Sequence, residues 1–272
     1  MSATAEPSDE PTPTRRAVLP VNELPPDAGF SRDLPLPGCA LAVGAHPDDI
    51  EFGCGGTLAK WAAQGCRVVH LILTDGSKGT WDPGTAHEVL VARRADEARA
   101  AAAALGTREV LFLGRIDGEL ENGRTERAEL SEIIRTVRPD VVLGHDPWRR
   151  YRLHPDHRHA GFIVTDAVVA ARDPLFFPEQ GLAPHRPLSL LLWEAEEPNH
   201  LESVQTADQK IAALLAHESQ HQTTHGIPSH GDNARERAVA TSAFGARIRA
   251  QLESYGRLDG GSPGEGFRLL DV

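Results

Sequence analysis

Cysteine is scarce: Cys39, Cys54 and Cys66 are the only three in 272 residues. An odd number without tight repeated spacing indicates neither a disulfide framework nor a cysteine-based zinc site, and fits a reducing, cytoplasmic setting. Long apolar runs are missing too. None approaches the ~18 residues that a transmembrane helix needs, and behind Arg15 and Arg16 only Ala17, Val18 and Leu19 precede Pro20, so neither a span nor a signal peptide is read. Positive charge is the minority, with 28 Lys and Arg against 39 Asp and Glu and a net charge of -11. Such a chain repels phosphate backbones and anionic headgroups, so neither nucleic acid nor a membrane is expected as a partner.

What is present reads as one globular domain with loosely attached ends. Residues 1–38 hold eight of the twenty prolines among Ser, Thr, Glu and Asp, too little apolar surface to offset chain entropy, so a flexible arm is expected there. Strand and helix patterns then alternate. Cys39 to Ala45, Arg67 to Thr74, Val110 to Leu113, Asp140 to Gly144 and Pro187 to Trp193 are short apolar runs of strand length. Between or after them, helices are expected over 56–64, from a capping box at Thr85-Ala86-His87-Glu88 to Gly106, over 125–138, over 156–171, from Thr206 to about His217, and over 233–254. Residues 256–266 read as glycine-rich loop and 256–272 as a C-terminal segment, leaving 39–255 as the domain. Alternation of this kind implies an α/β fold built on a largely parallel sheet, with helices on both faces.

Open parallel sheets bind ligands beyond the carboxyl ends of their strands, and the first long strand delivers Ala45-His46-Pro47-Asp48-Asp49 to that edge. One imidazole and two carboxylates within four residues suffice for two zinc ligands and a free base, although a Pro-Asp turn is the plainer reading of the segment alone. A second cluster changes the balance: His145-Asp146-Pro147-Trp148, then His154-Pro155-Asp156-His157, also follow a strand end. A third ligand can come from His157 while His154 faces the same cavity. Three protein ligands with an open position describe a catalytic metal site at the carboxyl edge.

The two clusters together resemble the motifs of the LmbE-like, or PIG-L, family of zinc-dependent de-N-acetylases. The similarity extends to Gly55-Gly56-Thr57-Leu58, Thr74-Asp75-Gly76, Arg94-Ala95-Asp96-Glu97 and Leu105-Gly106, and spans roughly residues 41–220. The resemblance implies a Rossmann-like α/β domain, with His46, Asp49 and His157 as metal ligands and Asp48 as general base. It further implies His154 as oxyanion stabiliser or proton donor, with Asp156 orienting it. Zn2+ is the implied metal, and two imidazoles with one carboxylate also suit Fe2+.

Other residues carry two readings each. Arg94 lies on a helix whose counterpart in the family reaches substrate, or is a solvated face residue. Asp117 binds sugar hydroxyls, or only shapes an Asp-Gly turn with Gly118. His145 lines the cleft with Asp146, or supports a ligand from behind. His217, His221 and His225 recur every four residues and are expected as a solvated stripe rather than a second metal site. Cys54 is expected as a buried structural thiol. The basic stretch Trp148 to Leu153 suggests an acidic group on the substrate, and Leu175-Phe176-Phe177 either an exposed apolar contact for a homo-oligomer or a part of the core. A dinucleotide loop at Gly53, Gly55 and Gly56 fails, because its third glycine is Leu58.

The expected function is a metal-dependent hydrolase that removes an N-acetyl group from a small-molecule N-acetylglucosamine-type sugar or glycoconjugate. An amidase acting on a larger thiol-sugar conjugate or natural product, and a catalytically silent metal- or sugar-binding protein, are the competing readings.

Overall fold

The computed structural model describes residues 30–205, 207–228, 233–258 and 260–272. In chain order these form β1 (Ser31–Arg32), β2 (Cys39–Gly44), α1 (Asp49–Ala63), β3 (Arg67–Thr74), α2 (His87–Ala104), β4 (Glu109–Arg115) and α3 (Arg124–Val137). There follow β5 (Val141–His145), α4 (Pro155–Arg172), β6 (Ser189–Trp193), β7 (His200–Ser203), α5 (Ala207–Leu215), α6 (Ala234–Gly256) and β8 (Gly264–Asp271). All eight strands share one sheet in the order β1-β7-β8-β6-β5-β2-β3-β4. Every pairing is parallel except those of β8, which runs antiparallel to both β6 and β7.

Strand residues alternate between the two faces, as a period of two requires. Ala40, Ala42 and Leu143 pack with Ile50, Leu58 and Trp61 of α1 on one face. Leu41, Val43 and Val142 pack with Leu130 and Ile134 of α3 and Ile163 and Val164 of α4 on the other. Helices therefore cover both faces, which is the Rossmann-like arrangement expected. The chain runs outward from β2 through β3 and β4, then returns to place β5 on the other side of β2. The strand order thus reverses between β2 and β5, where a crevice opens beyond the strand ends.

The structure differs from the sequence reading in four places. First, α1 begins at Asp49, seven residues before the expected start, and is kinked at Cys54 (φ -147°, ψ 16°). Glycine is a poor helix former, which hid this segment, yet here it serves close packing: a Cβ on Gly53 would come within 2.5 Å of the Trp193 ring. Second, the Thr85 capping box does not form. Its hydroxyl donates to Asp82 Oδ2 instead, and no side chain caps α2. Third, the loop expected over 256–266 becomes β8 from Gly264 onward. Fourth, although residues 1–29 of the expected arm lie outside the described residues, Ser31–Arg32 pairs with β7.

Residues 173–186, for which the sequence supplied no pattern, are organised by one buried guanidinium. Arg135 donates to the carbonyls of Ala170, Ala171, Asp173, Phe176 and Phe177 and to the Gln180 side chain. Phe177 is consequently buried, while Leu175 stands almost fully exposed. No helix among the described residues is long and apolar enough to cross a membrane.

Candidate active site

The crevice between β2 and β5 holds the two histidine clusters. From the end of β2 the chain turns through Pro47 into α1, and Asp48 takes a left-handed backbone (φ 115°, ψ -23°) that is costly for a residue with a Cβ. Several bonds hold the turn. His46 N donates to Asp49 Oδ2 at 2.7 Å, Phe52 N donates to the Asp48 carbonyl, and Arg94 Nη2 donates to the Pro47 carbonyl at 2.6 Å. Across the crevice, α4 opens with Pro155 in its first turn and His154 just ahead of it, so His157 projects from the helix start.

Three residues converge. His46 Nδ1 lies 3.1 Å from His157 Nε2 and 3.2 Å from Asp49 Oδ2, while His157 Nε2 lies 3.2 Å from Asp49 Oδ1. Tetrahedral zinc, with bonds of about 2.0–2.1 Å, sets its ligands about 3.3–3.4 Å apart, so these pairwise spacings suit a divalent cation; two overlapping sets, His46 with His154 and His157, and Asp49 with His145 and His157, also bring their ligand atoms within 4.8 Å of one another. The opposite nitrogen of His46 meets Asp156 Oδ2 at 3.1 Å and Asp117 Oδ1 at 3.3 Å. A carboxylate behind a ligating imidazole is the usual means of fixing its tautomer and raising its basicity. Burial works against a charge on His46, but the Asp117, Asp156 and Asp49 carboxylates more than reverse this and lift it well above the ordinary imidazole range.

Asp48 sits beside these three residues without belonging to the set. Burial pushes its carboxyl up to about 6, against the pull of Arg94 and with the Asp49 charge adding to the rise. Burial acts on Asp49 in the same sense, but His157 and His145 hold it well below the usual carboxylate range. Two adjacent carboxyls are thereby driven apart, one suited to ligation and the other to proton transfer.

The remaining expected residues fall around the same cleft, whose volume is about 580 Å³. His154 is exposed at its mouth, its ring 4.5 Å from that of His46 and 4.8 Å from that of His157. Asp156 holds His46, Gly118 N and Leu120 N rather than His154, so the expected Asp156–His154 bond is replaced by one to His46. Asp117 is buried, accepts from Lys78 N, and lines the cleft. Arg94 is 3% exposed, which removes its reading as a solvated face residue, and stands 3.6 Å from Asp48 and 4.0 Å from Asp117. His145 supports from behind: its Nε2 meets Asp49 Oδ2 at 3.2 Å, and its Nδ1 accepts from Trp193 Nε1 at 3.0 Å.

Two further expectations are corrected. The histidines 217, 221 and 225 are buried, not solvated, and the segment passes from a 3-10 turn into a π turn, within which the His221 and His225 rings lie 5.4 Å apart. His217 packs 3.4 Å from Glu51, a buried carboxylate of α1 that the loop reading of this segment concealed. The basic stretch is not a free positive field either: Arg149 and Arg152 pair with Glu194, and Arg150 with Glu196. Arg152 was not singled out within that stretch, yet its Nη2 donates to His157 Nδ1 at 2.9 Å and His145 Nδ1 at 3.1 Å. Trp193 and Gln220 were also missed, although Gln220 closes the segment His217-Glu218-Ser219-Gln220 that the resemblance reaches. Cys54 is buried, as expected, and burial pushes its thiol well up.

Known proteins are similar to this chain in sequence and in fold. The PIG-L family pattern, described as GlcNAc-PI de-N-acetylase, matches residues 41–168. A diacetylchitobiose deacetylase of Thermococcus kodakarensis is 39% identical over 184 residues, which cover 66% of this chain and 69% of that protein. A 1D-myo-inositol 2-acetamido-2-deoxy-alpha-D-glucopyranoside deacetylase of Streptomyces scabiei is 35% identical over 166 residues, 52% of this chain and 51% of that protein, so the chain spans about half of that relative. Among solved structures, N,N'-diacetylchitobiose deacetylase from Pyrococcus horikoshii superposes with a TM-score of 0.76 at 30% identity, covering 86% of this chain and 84% of that one. By sequence and by fold, the chain belongs to the PIG-L, or LmbE-like, deacetylase family.

Proposed function

We propose that this protein is a metal-dependent hydrolase that removes the acetyl group from an N-acetylglucosamine-type sugar or glycoconjugate, releasing acetate and a free amine. The observation that carries the reading is the His46–Asp49–His157 set with a separate, proton-ready carboxyl, Asp48, at the floor of an open cleft. Named activities of the relatives at 39% and 35% identity support the substrate class.

His46, Asp49 and His157 would hold the cation, Zn2+ or Fe2+ by donor type. When bound it supplies Lewis-acid polarisation and lowers the pKa of water. Asp48 takes the proton of the attacking water as oxygen bonds to the amide carbonyl carbon. His154, at the cleft mouth, offers a ring N–H to the charge developing on the carbonyl oxygen. As the C–N bond breaks, protonated Asp48 returns its proton to the departing amine nitrogen, which balances the step. Arg94, 3.6 Å from Asp48, fixes that carboxylate and bonds the Pro47 carbonyl behind it. Asp156 and His145 act through His46 and Asp49, as positioning residues. Asp117 accepts hydroxyl hydrogens of the sugar. The three free cysteines support a cytoplasmic setting.

Acetate release from a panel of N-acetylglucosamine derivatives, by protein of measured metal content and by a chelator-stripped sample, tests the reading. Release that disappears on stripping and returns on adding Zn2+ is expected. Undiminished release from metal-free protein overturns the metal-dependent mechanism. No release from any member despite stoichiometric metal favours a silent binding role.

A further inference from the structure

The cleft takes its walls from parts of the chain that lie far apart in sequence. The segment between β3 and α2 contributes Lys78, Gly79, Thr80 and Trp81, and the stretch after α5 contributes Gln220, Thr223 and Thr224. Gln220 joins the two. It is buried, its Nε2 donates to the Gly79 carbonyl at 2.9 Å and to the Ser219 hydroxyl at 3.0 Å, and its Oε1 accepts from the Thr223 hydroxyl at 3.1 Å. Ser219 is held in turn by α2, its N donating to Glu97 Oε1 at 2.8 Å and its hydroxyl to Glu97 Oε2 at 2.5 Å. Turning the Gln220 amide over would set its oxygen against the Gly79 carbonyl, so these bonds fix one orientation.

What this tie holds is the bed of Arg94. The loop lies directly on the guanidinium: a Cβ on Gly76 would come within 2.6 Å of Arg94 Nη1, and one on Gly79 within 2.3 Å of the same atom. Nη1 donates to the Gly76 carbonyl at 2.9 Å, while Nη2 donates to the Pro47 carbonyl at 2.6 Å and stands 3.6 Å from Asp48. Arg94 therefore spans the loop and the turn that carries Asp48. A long, flexible side chain keeps one rotamer only where its surroundings hold it, and here the surroundings are a loop that Gln220 pins.

Resting on the deacetylase reading, we infer that Gln220 is a positioning residue for the reaction: by holding Gly79 it keeps the 76–79 loop on Arg94, and through Arg94 it keeps Asp48 in place. Among the described residues it bonds none of His46, Asp49 and His157. Its loss should therefore disturb the base and leave the cation bound.

The test uses the metal-loaded full chain and two variants that break this line of contacts at different links. Gln220→Glu keeps the size and the acceptor for Thr223 but sets a carboxylate oxygen where the donor to Gly79 was. Gly79→Ala retains Gln220 and drives a Cβ into the place of the Arg94 guanidinium. In acetate release from the N-acetylglucosamine panel, each should lower kcat about tenfold with KM within about twofold and metal content unchanged, since misplacing a reacting group costs rate more than binding. In an Arg94→Ala background, Gln220→Glu should cost no more than about a further twofold, because the group it acts through is gone. Hydrogen exchange supplies a readout independent of turnover: the amides of Lys78 and Gly79, bonded to Asp117 and to the Gly76 carbonyl, should exchange faster in Gln220→Glu than in wild type. A rise in KM at unchanged kcat would make Gln220 a direct substrate contact, and a full tenfold loss on top of Arg94→Ala would show that it acts apart from Arg94. Either result overturns the inference while the deacetylase reading stands. If wild type releases no acetate from any sugar but loop exchange rises in Gln220→Glu, the hold of Gln220 on the loop stands and the deacetylase reading falls.

Discussion

Helix α1 carries buried charge at two places, and the two are built on opposite plans. At its middle, Glu265 of β8 accepts from Gly56 N at 2.9 Å, Thr57 N at 2.8 Å and Lys210 Nζ at 2.5 Å, and Lys210 also donates to the Phe52 carbonyl. Glu265 thereby caps the second half of a helix interrupted at Cys54, and its charge is answered by donors. At the start of α1, Asp48, Asp49, His46 and His157 instead crowd lone pairs together at the wall of a cleft. A buried ion pair with complementary partners on each side is structure. Imidazoles and carboxylates converging at a cleft wall, beside a carboxyl pushed up to about 6, are the pattern of a reacting centre.

Substitutions separate the two plans. The largest expected effect is His157→Ala: metal analysis should find the cation lost and acetate release should fall to background, while a fully loaded variant would show that the third ligand lies elsewhere. Asp48→Asn should keep its metal yet lose at least about 10²-fold in kcat, the minimum for removing an acid-base group. At the structural cluster the cost should appear as stability. Glu265→Ala leaves Lys210 buried without its partner and should cost about 3–5 kcal/mol in urea unfolding, whereas Glu265→Met with Lys210→Met should recover much of it. If Glu265→Ala unfolds like wild type, the contrast between the two clusters fails.

The smallest effect concerns Asp33, near the sheet edge. Partial burial alone would raise its carboxyl, but bonds from Lys60 and Ser203 more than offset this and hold it at about 2, below its ordinary 3.8. Its contribution is complete above the ordinary value and fades as pH falls toward 2. Asp33→Asn should therefore lower stability at neutrality, where that contribution is complete, and flatten the acid limb between about pH 4 and 2, so that the variant and wild type converge at low pH. An unaltered acid limb would show that the Lys60 and Ser203 bonds do not set that limb.

What was legible in the sequence is what local pattern encodes. The apolar runs at 39–45, 67–74 and 140–144 became central strands, and both histidine clusters lie at strand ends, facing one crevice. What escaped depends on partners far along the chain. Gly53, Gly264 and Gly266 read as loop, yet each lets a distant side chain approach the backbone: Trp193, Leu201 and Tyr255 respectively. Polarity misled at His217, whose burial is decided by Glu51 across the fold. It misled again at the basic stretch, whose arginines are answered by Glu194 and Glu196. Asp156 shows a subtler limit: spacing puts it between His154 and His157, and only the fold turns it toward His46.

The position of β8 bears on the order of assembly. It is the last of the eight strands in the chain and lies between β6 and β7, joining them by antiparallel ladders. On a ribosome, β2, β3, β4, β5 and β6 emerge in order and find their neighbours. β1 and β7 remain cut off from them until residues 264–271 arrive. The same late segment brings Glu265 to the kinked middle of α1, seven residues beyond Asp49. A nascent chain therefore holds both histidine clusters well before the helix behind the first of them is secured.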